Sequence, residues 1–120
     1  MTALQKVAAG LGWSSVLIGG IQLVAGAAAE AGMQDVDATI DSHVRFMGAM
    51  FVGYGVSVIA AGRRDDADMV RLLAGLMGVG GASRLLTRVT RGRPHRFHDA
   101  LMLVEFATPL VTELAQRKDR

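Results

Sequence analysis

From Val7 to Ala29 the chain carries no charged residue. Coiled as a helix at about 1.5 Å per residue, this stretch is long enough to cross the roughly 30 Å hydrocarbon core of a bilayer. A helix on a soluble protein keeps a charged stripe toward water, and this one has none. Phe46–Gly62 is likewise uncharged. Met69–Thr87 is apolar apart from Arg71 and Arg84, and Phe97–Leu114 carries only Asp99, Glu105 and Glu113. Four apolar stretches therefore alternate with three charged connections. This segregation reconciles a charged fraction of 20%, ordinary for a soluble domain, with a mean hydropathy of +0.33.

Glycine gives an independent test. It costs about 1 kcal/mol inside a soluble helix, yet most of the 15 glycines fall within the apolar stretches. Membrane helices use small residues to bring backbones together. The expected fold is all-α: one domain, 1–120, with four transmembrane helices near 5–29, 43–62, 67–89 and 96–116 in an antiparallel bundle. Lys6, the apolar core and the small residues of Ala27–Ala31 also imitate a cleavable signal peptide. The apolar stretch exceeds a usual signal core, so the first helix is read as retained. The chain has no cysteine, which excludes a disulfide scaffold and a cysteine metal site.

The connections set an orientation. The first, Glu30–Ser42, holds Glu30, Asp35, Asp37 and Asp41 and no basic residue, whereas Arg63 and Arg64 mark the second. With Lys6 at one end of the chain and Arg117, Lys118 and Arg120 at the other, the positive-inside rule places both termini in the cytoplasm. Arg88, Arg91, Arg93 and Arg96, around the third connection, break that rule. They read as a tolerated exception or as contacts for an anionic lipid or partner. Eleven of the 13 basic residues are arginine, and Ala, Gly and Val are abundant. That usage suggests a bacterial chain resident in the cytoplasmic membrane.

Polar and ionisable residues inside a membrane helix are costly and turn toward protein or water. Gln22, Arg45, Arg84 and Glu105 are the candidates. With this orientation, Gln22 lies about 10 Å, Arg84 about 5 Å and Glu105 about 12 Å from the outer ends of their helices, and Arg45 opens the second. All four share the outer half of the bilayer. Each also sits on its helix's small or polar stripe: Gly12, Ser15, Gly19, Gln22 and Gly26; Arg45, Gly48, Val52 and Gly55; Ala74, Met77, Gly81 and Arg84; His98, Leu101, Glu105, Thr108 and Thr112. Glu105 is expected to pair with Arg84 first and Arg45 second, with Gln22 bonded to the cluster. The pair reads either as glue that fixes helix register or as a ligand site. Pro109 removes a backbone bond to Glu105 and should kink the fourth helix.

Other features carry less. His43, His95 and His98 lie toward the outer end without ligand spacing, so no metal site and no cofactor is expected. Trp13 and Tyr54 read as packing or interface anchors. No phosphate loop, nucleophile elbow or dinucleotide fingerprint is present, and nothing points to nucleic acid.

Three segments resemble a known family. They are Val44-Arg45-Phe46-Met47-Gly48 with Gly53-Tyr54-Gly55; Gly78-Val79-Gly80-Gly81-Ala82-Ser83-Arg84-Leu85-Leu86; and Gly92-Arg93-Pro94 leading to Glu105. The chain resembles, over nearly its whole length, a bacterial family of small four-helix membrane proteins known as a domain of unknown function (DUF4345). The resemblance implies the four-helix fold and aligns the family's recurrent Arg, Arg and Glu with Arg45, Arg84 and Glu105. It implies no activity. The four arginines around the third connection depart from it.

The functional expectation is a non-enzymatic accessory or assembly subunit of a larger membrane complex, its partners being membrane lipids and another membrane protein or a second copy. The alternative is a lipid or small-molecule binder or transporter using the Arg/Glu cluster, dimeric if it transports. No catalytic residue is expected, since an intramembrane enzyme would have only Glu105 and His98 to work with.

Overall fold

The computed structural model describes Met1–Arg120. Four helices follow one another: α1 (Ala3–Ala25), α2 (Ala38–Arg63), α3 (Ala67–Thr90) and α4 (Arg96–Asp119). Each start has a local chemical cause. Thr2 and Gln5 form a reciprocal capping box on α1. The Asp37 carboxylate accepts from Ile40 N at 3.0 Å and the Asp66 carboxylate from Met69 N at 3.0 Å. His95 Nδ1 accepts from Phe97 N at 3.1 Å, opening α4. The Asp37 cap starts α2 at Ala38, inside the acidic connection and ahead of the expected start at His43. At its other end α1 stops at Ala25, because Gly26 takes a φ of +68° and passes into a short 3₁₀ turn, Gly26–Ala29.

Three spans, Ala3–Ala29, Ala38–Arg63 and Ala67–Thr90, are long and apolar enough to cross a membrane. The fourth helix is as long as α3 but less apolar, because Asp99, Glu105 and Glu113 lie along it. The outer surface is rich in large apolar side chains, Trp13, Leu17, Phe46, Leu72 and Leu103 among them. A folded protein in water does not expose such a continuous apolar coat. This is the surface of a membrane protein.

The helices associate as two hairpins. α1 packs most closely on α2, and α3 on α4. In the first hairpin the backbones nearly touch. A Cβ on Gly48 would lie 2.6 Å from Gly19 O and 2.6 Å from Leu23 N, and one on Gly19 would lie 2.6 Å from Gly48 O. Gly12 and Gly55 oppose each other in the same way. Residue numbers rise along one helix as they fall along the other, so the paired glycines seven apart share one seam. The second hairpin is joined by charge instead. Arg71, Arg84 and Arg88 of α3 pair with Glu113, Glu105 and Asp99 of α4.

One end fastens the hairpins together. Leu4, Ala8, Val58, Ala61 and Val70 form the buried core, and Tyr54 Oη donates to Leu73 O. Beside it, Asp119 reaches back across the chain: its carboxylate accepts from Ala3 N and Leu4 N, both at 2.9 Å. These are orphan amides of the first turn of α1, where a negative charge is favoured. The bonds from Leu4 N and Ala3 N hold the Asp119 carboxyl below its ordinary value of 3.8. A lowered folded value means that the stabilisation is complete above pH 3.8 and is lost as pH falls through the folded value. Thermal midpoints of detergent-solubilised protein between about pH 2 and 6 should therefore converge for wild type and Asp119→Asn at the acid end and separate above it. Parallel curves throughout that range would show that the cap is not formed. The molecule as a whole is a slab, 48 × 30 × 17 Å over its Cα atoms.

Candidate functional site

The site is built from the last turns of α3 and the first half of α4. Gly81 admits α4 closely: a Cβ there would meet the Glu105 Cβ at 3.2 Å and Met102 O at 3.3 Å. Three residues away on α3, a Cβ on Gly78 would lie 3.1 Å from the Pro109 ring. These glycines let the Glu105 side chain lie along α3 and reach Arg84 one turn further on. α4 runs unbroken through Pro109; having no N–H, Pro109 leaves the Glu105 carbonyl without its helical donor.

Arg84 Nε donates to both oxygens of Glu105, with Oε2 at 3.1 Å. The Glu105 side chain is 10% exposed and that of Arg84 35%, so the acid is the deeper partner. Arg84 Nη1 lies 3.1 Å from His98 Nδ1. A guanidinium only donates, so His98 Nδ1 accepts and its proton sits on Nε2. That nitrogen is 3.0 Å from Ala31 O, to which it donates. One chain of hydrogen bonds, charge-assisted as far as His98, thus runs from Glu105 through Arg84 and His98 to the α1–α2 connection. Chemically it joins its members to one another within the protein and ties the second hairpin to the first at the end opposite the apolar core.

The expected cluster of four divides in two. Arg45 does not reach Glu105. It pairs with Asp41 at 2.9 Å and donates to Leu23 O at 3.0 Å and Val24 O at 2.7 Å. The cause is the early end of α1: Gly26 leaves those carbonyls unpaired beside α2, where a cation is favoured. Asp41 also accepts from Ala27 N at 2.9 Å. Gln22 likewise stays within the first hairpin, donating to Glu30 at 3.1 Å. Arg84 and Glu105 are the two expected members brought together, and His98, a stripe residue on α4, completes their group.

The arginines of the third connection also separate. Arg88 lies 3.6 Å from Asp99 and is half-buried against α4. Arg91, Arg93 and Arg96 are exposed and have no carboxylate within ion-pair distance. His43 is exposed, while His95 is used as the cap of α4. The Arg71–Glu113 pair, at 3.1 Å, is a contact that sequence reasoning missed. It borders an open groove between α3 and α4 that also takes in Asp68 and Pro109.

Two hairpins, one joined by glycine and one by charge, and three helices apolar enough to span a bilayer define a small helical membrane protein. The chain belongs to the family described as Domain of unknown function (DUF4345), whose model matches residues 3–116. Comparison with curated proteins and with solved structures gives no match.

Proposed function

We propose that all four helices cross the membrane as an antiparallel bundle with both termini in the cytoplasm, and that the chain is a non-catalytic packing subunit of a larger membrane assembly in the cytoplasmic membrane of a bacterium. The charge pairs of the second hairpin support the fourth crossing. Asp99, Glu105 and Glu113 of α4 each meet an arginine of α3, so the hairpin enters the bilayer with these internal charges matched. The proximity of the Asp119 side chain to the start of α1 supports termini on one side.

The observation that carries the assembly reading is a pair of small residues turned outward. Gly53 and Ser57 lie one turn apart on α2, with nothing within 4 Å of a Cβ on Gly53. The Ser57 hydroxyl folds back onto Gly53 O at 2.8 Å, leaving a smooth patch. Gly10 and Ser14 repeat the pattern on α1, with Ser14 bonded to Gly10 O at 2.7 Å. Within the chain the small-residue seams hold α1 to α2, and these outward pairs have the same chemistry with no helix against them.

Gly53→Leu tests this directly. Purified in mild detergent, the wild-type chain should run as a stoichiometric complex larger than one copy. The variant should run alone and remain folded, since a Cβ at this position has no atom of another helix within 4 Å. A wild-type chain that purifies as a monomer, or a variant that keeps its complex, contradicts the reading.

A further inference from the structure

We propose that the turn between α3 and α4 binds the head group of an anionic phospholipid. The site goes beyond the assembly role and does not depend on which leaflet the turn occupies. Arg91, Arg93 and Arg96 lie close together in the chain, all exposed. The ion pairs of the molecule use Arg45, Arg71, Arg84 and Arg88, and none uses these three. The nearby acidic residue Asp99 is engaged by Arg88. The acidic α1–α2 connection comes close, with Gly32 against the His95 side chain, yet none of its carboxylates reaches an arginine of the turn. Three guanidiniums are thus held on a short turn without a counter-ion, each offering paired N–H donors that match phosphate oxygens.

The surroundings select a lipid over a soluble anion. Leu86 is 64% exposed, Val89 76% and Phe97 41%. They flank the turn on the α3 and α4 sides, Val89 and Phe97 within two residues of an arginine and Leu86 five residues before Arg91. A phosphate on the arginines would place its acyl chains along these residues, so a single molecule meets both the charge and the apolar surface. Inorganic phosphate, or an acidic surface of a soluble protein, meets only the charge.

The test uses the full chain in detergent micelles, titrated with phosphatidylglycerol, phosphatidylcholine or inorganic phosphate and read by native mass spectrometry. Each arginine near an anionic lipid surface is worth about five-fold in affinity, and three about a hundred-fold. The triple variant Arg91→Gln, Arg93→Gln, Arg96→Gln should lose about that much affinity for phosphatidylglycerol and none for phosphatidylcholine. The triple lysine variant should fall between the wild type and the glutamine variant, keeping the charge but losing the paired donors. Removing Lys6, Arg63 and Arg64 at the opposite end should leave it unchanged. Equal binding of the two lipids by the wild type, binding of inorganic phosphate as tight as that of phosphatidylglycerol, or an unchanged affinity in the folded glutamine variant would overturn the proposal. So would a glutamine variant that keeps its lipid but releases a protein partner, which would assign the turn to an acidic protein surface.

Discussion

Gly48→Leu is expected to abolish the α1–α2 hairpin, the largest structural loss that a single substitution here can cause. The atoms a side chain would strike are Gly19 O, Leu23 N and the Gln22 Cβ, at 2.6 to 2.7 Å. Backbone cannot move aside without separating the helices. Overpacking a well-packed core costs about 1–3 kcal/mol where side chains can rearrange. Here the seam itself must open, so the loss should exceed that range. The internal control is Gly53→Leu on the same helix, where the new side chain enters open space. Thermal unfolding in detergent, followed by far-ultraviolet circular dichroism, should show a collapse for Gly48→Leu and none for Gly53→Leu. Equal behaviour of the two would mean that α1 and α2 do not cross at these glycines.

The second large effect concerns the Arg84–Glu105 pair. Glu105→Ala removes the carboxylate and leaves Arg84 in the apolar layer with only His98 as a side-chain partner. Removing one member of a buried ion pair costs about 3–5 kcal/mol, whereas replacing both by apolar residues of similar volume is often nearly neutral. Glu105→Ala should therefore lose about 3 kcal/mol of stability, and the double variant Arg84→Met, Glu105→Met should recover most of it. A strongly positive coupling in this cycle identifies the pair as the lock of the second hairpin. A stable Glu105→Ala protein would instead release the pair for ligand binding, the alternative that residue type and depth leave open.

Much of this is legible in the sequence. Charge segregation locates the helices, because a charge inside the bilayer is expensive enough to be rare. The three-and-four spacing of Gly12, Ser15 and Gly19, and of Gly48 and Gly55, marks faces that the fold buries. It also places Arg84 and Glu105 on facing stripes. A stripe gives the direction of a side chain along its own helix but does not name the neighbour. Arg45 is therefore open to misassignment: besides Asp41, four residues earlier on its own helix, its partners are the carbonyls released where α1 gives way to Gly26, and nothing in the spacing of charges reports a helix end. The same holds for Asp119, whose partners lie at the other end of the chain. One further signal lies in the order of the charges. The basic residues of α3 and their acidic partners on α4 occur in opposite order along the chain, Arg71, Arg84, Arg88 against Asp99, Glu105, Glu113. That is the pattern of a hairpin joined by charge. It also explains why α4 is less apolar than the other three helices.

Whether α4 crosses the membrane decides the account. The chain has no cysteine, so single cysteines can be placed at Gln34, Asp65, Arg93 and Arg120 and probed in intact cells and in opened membranes with a membrane-impermeant maleimide. Four crossings predict that positions 34 and 93 react from outside, whereas 65 and 120 react only after the membrane is opened. Labelling of positions 93 and 120 from the same side would contradict it, because α4 would then lie along the surface and the Arg84–Glu105 pair could not sit inside a spanning bundle.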